Sequence, residues 1–335
     1  MGDLKVGVVG AGFMGSMHAR IFDRIAGVRV VGIADLNQAA ASAVAGTLAG
    51  CTAYSDYREM IARAGVDIVS VCTPDNLHRP PCEAAAAAGK NIFLEKPIAS
   101  SLEDAEAIVH AVESAGVRLG LGFLLRFDPR YAAAREAIVS GRLGEVIHIY
   151  ARRNSPRDEG PKRYGGKLPL ALHVTVHDVD MVLWLLKGHQ PKTVYAQTVN
   201  KLLGRLGTDD AISAIVRFDD STVVNFESSW ALPEGARTKL DAQMEIIGTE
   251  GSVEVMCGES GVMIADRTHA QYPDMGHWPS VDGTVRGDLR EQLHSFIDDI
   301  RTGSQTVATA RDGLDSLRLV LAMMQSARTG KVVDL

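Results

Sequence analysis

The 335-residue chain contains no run of lysine and arginine, no C-x-x-C pair and no apolar stretch long enough to span a bilayer. Each absence removes a class of function. Without a basic run, and with a formal net charge of −6, no segment is suited to track a nucleic-acid backbone, and no nucleic-acid partner is expected. Without a long apolar stretch, neither a transmembrane helix nor a membrane partner is expected. The four cysteines, Cys51, Cys72, Cys82 and Cys257, stand apart in or near apparent core segments. Free thiols in a reducing cytosol are therefore expected, and none is a good candidate nucleophile. The opening M-G-D-L-K-V-G runs directly into an apolar strand, so the expectation is a cytoplasmic chain with neither signal peptide nor twin-arginine leader. Internal repeats are lacking as well.

What is present begins at residue 6. Residues 6–15 read V-G-V-V-G-A-G-F-M-G, a buried-strand pattern continuous with Gly10, Gly12 and Gly15. That spacing suits a dinucleotide-binding turn: the first glycine permits the tight turn, the second lets backbone approach a pyrophosphate, and the third lets the next helix pack on its strand. The helix N-terminus then faces the phosphates. A second strand, residues 28–35 (V-R-V-V-G-I-A-D), ends in Asp35, 20 positions after Gly15, where the ribose of NAD needs an acceptor. A carboxylate there accepts from a free 2′-hydroxyl and repels a 2′-phosphate, and L-N-Q after it offers no immediate arginine. NAD is favoured over NADP.

Strand and helix patterns alternate through the first third of the chain, with Asp56 read as a helix N-cap and a last strand at 117–123, which predicts an α/β doubly wound parallel sheet of the Rossmann type, with ligand at the carboxyl ends of its strands. After about residue 121 the rhythm changes. Closely spaced strand-like runs follow at 145–153, 192–199, 211–218, 222–229, 240–247 and 252–256, with a helix predicted over 173–186, helices at 288–301 and 311–327, and a short strand at 331–335. These predict a second, α+β domain with an open, largely antiparallel sheet. The division expected is 1–122 for dinucleotide binding and 123–335 for substrate and oligomer contacts, with the loop at 155–168 the most irregular segment.

The chain resembles the glucose-fructose oxidoreductase, inositol dehydrogenase and rhizopine catabolism (Gfo/Idh/MocA) family. The resemblance is carried by G-A-G-F-M-G, by C-T-P-D-N-L-H at 72–78, by E-K-P at 95–97, by R-F-D-P at 126–129 and by H-D-V-D-M-V-L-W-L from His177, in that order. It implies a nicotinamide-dependent dehydrogenase of sugars or cyclitols, inositol 2-dehydrogenase-like, forming a ketone and assembling as a homodimer or homotetramer. It places cofactor contacts at Gly10, Gly12, Phe13, Met14, Gly15, Asp35, Thr73, Pro74, Asn76, Glu95 and Lys96. It also implies substrate contacts at Arg126, Asn154, His173 and Asp180. Two alternatives stay open: a nucleotide-sugar 3-dehydrogenase or NADPH-dependent sugar or ketone reductase, and a non-catalytic dinucleotide-binding regulator. Retention of Lys96 and His177 argues against the regulator.

The chemistry agrees with residue types. Oxidising a secondary alcohol sends a hydride to nicotinamide and a proton to a base, while a cation steadies the oxygen. Lys96, just past the strand at 91–94 and stiffened by Pro97, is the candidate cation. His177 is the candidate base, since imidazole exchanges a proton near neutral pH. His173 shares its helical face. There the family often carries an aspartate, so an imidazole replaces a negative charge and is expected to position a substrate hydroxyl. The H-x-x-x-H pair lacks the glutamate and third ligand of a zinc site, and no metal is expected.

Overall fold

Strand Leu4–Val9 (β1) is covered on both faces, which is why its residues Val6, Val8 and Val9 are all buried rather than alternating. The computed structural model describes residues 3–157, 160, 168–268 and 270–335. Around β1 a six-stranded sheet forms from Val28–Ala34 (β2), Thr52–Tyr54 (β3), Ile68–Val71 (β4), Asn91–Leu94 (β5) and Leu119–Leu121 (β6), in the order β3-β2-β1-β4-β5-β6. Every pairing is parallel. Three of the crossover helices start on side-chain caps: Asn37 opens Gln38–Ala45, Asp56 opens Tyr57–Arg63, and Ser101 opens Leu102–Ala115. The order reverses beside β1, and strand ends on either side of that switch point make the ligand crevice of such sheets.

The chain forms two compact units, Met1–Leu124 with Ser280–Leu317, and Leu125–Pro279 with Arg318–Leu335. The single cut expected after residue 122 is thus replaced by a return of the chain. Helix Asp288–Thr302 buries Leu289, Leu293, Phe296 and Ile297, and Phe296 meets the ring of Phe93 edge-on at 5.3 Å between centroids. Gly120 leaves room for it, since a Cβ there would sit 2.6 Å from Phe296 Cδ2. Beyond the helix, Leu121 N–H donates to Ala308 O at 2.8 Å. An amphipathic helix does not announce which sheet it covers, so this return was not readable from periodicity.

The second unit is built on Val146–Pro156 (β7), Pro191–Val199 (β8), Ala211–Phe218 (β9), Val223–Leu232 (β10), Asp241–Gly248 (β11), Ser252–Met256 (β12) and the terminal pair Val333–Asp334. Their order is β12-β11-β7-β10-β9-β8, then the terminal strand. All neighbours are antiparallel except β7 and β10, which run parallel. Side chains alternate cleanly: Ile149, Ala151, Val216, Phe226, Met244 and Ile246 are buried, while Tyr150, Arg152, Ile215 and Glu245 lie on the other, more open face.

Two local readings differ from expectation. The helix predicted over 173–186 is a π turn, Ala171–Thr175, running into the α-helix Val176–Leu185, with Val176 N–H reaching back five residues to Ala171 O. The strand predicted at 117–123 shortens to β6. Of the irregular loop at 155–168, residues 158–159 and 161–167 lie outside the described residues.

Candidate functional site

The turn after β1 is cut to a dinucleotide's dimensions by its glycines. Gly10 adopts φ +97°, and a Cβ there would lie 2.7 Å from Cys72 O. At Gly15 a Cβ would collide with Gly10 O, whereas at Gly12, the N-cap of helix Phe13–Phe22 (α1), nothing lies within 4 Å of that position. The first and third glycines are closed in by protein and the middle one faces open space, as a close pyrophosphate approach requires. Asp35 ends beside this turn: Oδ2 accepts from Ala11 N–H at 2.7 Å and Oδ1 from Asn37 N–H at 2.8 Å. The residues therefore fit a dinucleotide, with the Asp35 carboxylate held beside the turn. Phe13 is exposed and Met14 half-buried on the first turn of α1.

Thr73, Pro74 and Asn76 occupy the turn beyond β4, with Asn76 in the short 3₁₀ turn Asp75–Leu77. What holds this turn is a residue not singled out above, His78. It is buried, with Nε2 2.9 Å from Thr73 O and Nδ1 3.2 Å from Ile98 O. Burial outweighs these bonds and pushes its imidazole below the ordinary range. The ring pins the T-P-D-N turn to the stretch just after Lys96. Lys96 itself is half-buried beyond β5, and its bond to Pro97 is cis. Glu95, expected as a cofactor contact, turns inward: Oε1 stands 3.1 Å from Nε2 of His18 on α1.

In the second unit, Arg126 and Asp180 bind one another. The guanidinium donates from Nε and Nη2 to the two carboxylate oxygens at 3.0 and 2.6 Å, and both residues are buried. A parallel pair lies beside them. Arg153 on β7 donates to Asp178 at 2.8 and 3.0 Å and to Tyr131 Oη at 3.3 Å. Burial works against the Arg153 charge, but Asp178 and Tyr131 more than offset it and hold the guanidinium above its ordinary range. Asp178 and Asp180 therefore brace the helix Val176–Leu185, and half-buried His177 immediately precedes Asp178 in sequence. Trp184, farther along, lies under Arg135, 4.3 Å from its ring centroid. His173 sits on the π turn, a feature found disproportionately at functional sites.

Asn154 is placed elsewhere. It neighbours Arg153 on a strand whose side chains alternate, so it faces away from Asp178, and its Nδ2 donates to Glu227 Oε1 at 2.8 Å. The residue on the helix side is Arg153. Arg153 and Asp178 were within reach of sequence reading only as neighbours, in R-N-S-P and H-D-V-D. Among the described residues, the one cluster spaced to hold a metal ion is exposed His189, Asp219 and Asp220; it does not involve His173 or His177. The four cysteines are free thiols, and no helix of the described residues is long and apolar enough to cross a membrane.

Glycines closed around an open middle position, a carboxylate at the end of β2 and strand order reversing at β1 define an NAD-binding Rossmann oxidoreductase. The family model described as "Oxidoreductase family, NAD-binding Rossmann fold" matches residues 4–123, and "GFO/IDH/MocA C-terminal domain" matches residues 131–254. The chain is 31% identical over 350 residues to the inositol 2-dehydrogenase of Rhizobium meliloti (strain 1021), covering 99% of each. It is 29% identical to the scyllo-inositol 2-dehydrogenase (NAD(+)) of Bacillus subtilis (strain 168), covering 99% of this chain and 96% of the other. In fold it matches a scyllo-inositol dehydrogenase of Lactobacillus casei crystallised with NAD(H) and scyllo-inositol, with a TM-score of 0.85, 22% identity and 99% of each chain covered. The chain belongs to the Gfo/Idh/MocA family of oxidoreductases.

Proposed function

We propose that the protein is an NAD-dependent cyclitol dehydrogenase that oxidises a secondary ring hydroxyl of an inositol to the ketone. The observation that carries this reading is that a chain similar end to end to an inositol 2-dehydrogenase keeps both groups the chemistry needs, Lys96 after β5 and His177 at the start of its helix. Bound NAD supplies the hydride acceptor. Lys96 steadies the oxygen as its charge develops. His177 takes the hydroxyl proton. His173 hydrogen-bonds a neighbouring hydroxyl, a contact a neutral polyol accepts without the aspartate frequent in the family. Arg126 and Asp180, neutralised by each other, hold the helix that carries His177. Asp35 supports NAD over NADPH, and so oxidation over an NADPH-dependent reductase. The open sheet face, with Tyr195 and Ile215 exposed, supports a homodimer or homotetramer. The test is a panel of myo-inositol, scyllo-inositol, pyranoses and nucleotide sugars with NAD and NADP, following reduced-nicotinamide absorbance. Turnover of an inositol with NAD is expected. Turnover confined to nucleotide sugars, or to NADP, overturns the reading.

A further inference from the structure

Lys96 is preceded by a carboxylate whose setting is unusual for an acid. Glu95 is only 7% exposed, and its partner His18 is wholly buried. Glu95 Oε1 lies 3.1 Å from His18 Nε2, and Oε2 accepts from the Lys96 backbone N–H at 3.2 Å. The other ring nitrogen of His18 stands 2.9 Å from Ser70 Oγ and 3.2 Å from Cys72 Sγ. Phe22 and Phe93 close over the imidazole edge-on. Room for the carboxylate comes from Gly122, where a Cβ would sit 3.1 Å from Oε1. A buried ion pair is a weak source of stability, because apolar residues of the same volume serve as well. Its location says more. Glu95 is covalently next to Lys96, and His18 is on α1, the helix whose N-terminus would receive the pyrophosphate of a bound dinucleotide.

We propose that Glu95, held by His18, is the positioning residue of Lys96, fixing its backbone and keeping its ammonium charged. The inference rests on the reading of Lys96 as the cation of a dehydrogenase. Burial raises the Glu95 carboxyl, but the hydrogen bond and charge of His18, with the charge of Lys96, outweigh it and set the group below its ordinary range. Burial likewise lowers His18, and Cys72 with Glu95 outweighs it, leaving the imidazole above its ordinary range. At neutral pH Glu95 is therefore a carboxylate rather than a neutral acid. An ammonium beside a carboxylate resists deprotonation, and a backbone N–H anchored to that carboxylate gives the side chain one starting direction.

The test compares Glu95→Gln, which keeps volume and removes charge, with Glu95→Asp, which keeps charge. One arm needs no substrate: limiting acetic anhydride acylates the lysines at a fixed neutral pH, and mass spectrometry reads each site. In Glu95→Gln, Lys96 acylates roughly three- to tenfold faster, because its amine deprotonates more readily. Lys5 and Lys331 react as in wild type, and Glu95→Asp returns Lys96 toward the wild-type rate. Unchanged Lys96 reactivity overturns the proposal. The second arm is kinetic: Glu95→Gln lowers kcat roughly tenfold or more while KM for NAD stays within about threefold. A rise in KM for NAD at unchanged kcat makes Glu95 a cofactor contact instead and overturns it equally. If Glu95→Gln melts far below wild type, His18→Asn serves in the kinetic arm alone: with the carboxylate no longer held, kcat falls while KM for NAD stays within about threefold, and an unchanged kcat overturns the proposal. A wild-type enzyme inactive on every cyclitol sinks the proposed function, and the acylation arm then decides the positioning role by itself.

Discussion

In the first unit the cofactor turn is made largely of backbone: three glycines, an open position at Gly12 and the N–H of Ala11 held by Asp35. In the second unit the surroundings of His177 are made of side chains that meet across long stretches of sequence, Arg126 with Asp180 and Arg153 with Asp178. A backbone site is specified by which residues are small, so its spacing survives in the sequence as a pattern. A side-chain site is specified by register and by partners, and neither has a local signature. The difference also sets how each region fails. The turn fails by clash when Gly10 or Gly15 is lost, and the helix of His177 fails by leaving a buried charge alone.

The largest effect is expected where chemistry depends on one atom. His177→Ala should lower kcat by about 10²- to 10⁴-fold, whereas His173→Ala should act mainly by raising KM for the cyclitol. Steady-state kinetics of the two variants decides, and the reverse pattern would exchange their roles. Next comes the buried brace: Asp178→Ala strands Arg153 and should cost about 3–5 kcal/mol in urea unfolding. The double change Asp178→Leu with Arg153→Met should recover much of that loss, and no recovery would mean the pair is not the source. A smaller effect belongs to the first unit. Asp35→Ala should weaken NAD and narrow the NAD:NADP ratio of kcat/KM by roughly tenfold, the worth of about one charged hydrogen bond; an unchanged ratio removes Asp35 from the ribose.

The smallest effect is a pH dependence. His18 in the folded chain sits above its unfolded value, raised to about 10 from 6.5, so its contribution is complete below about pH 6.5 and is lost as pH rises toward 10. Glu95 has the opposite sign: its depressed value gives stability present above about pH 4.5 and lost as the solution becomes more acid. The stability gap between wild type and Glu95→Gln should therefore be wider at pH 6 than at pH 9.5. Equal gaps in urea unfolding at the two pH values would separate the pair's charge from the fold's stability.

Legibility follows the same division. The strand at 91–94, the cap Asp56 and the glycine spacing are local patterns, and the structure keeps them. Asn154 and Arg153 show the limit: both lie in R-N-S-P, and only the pleat of β7 decides which one faces Asp178. His18 left a faint sign. It occupies the buried face of α1 with Gly15, Ala19 and Phe22, a stripe where a polar ring needs a polar reason. The π turn at Ala171–Thr175 left none, because one extra residue in a turn does not disturb the apolar period enough to be seen.

The return of residues 280–317 to the first unit bears on how the chain is made. During synthesis the six parallel strands leave the ribosome before helix Asp288–Thr302, so the Phe93 and Gly120 surface that takes Phe296 stays uncovered until translation has passed residue 296. A nascent chain in that state shows a hydrophobic patch to chaperones while the residues between β6 and Phe296 are added. Stop codons placed anywhere between 125 and 280 then release a nucleotide-binding sheet without its closing helix. An isolated cofactor module for engineering has to be assembled as 1–124 joined by a short linker to 280–317, rather than cut from the N-terminus alone.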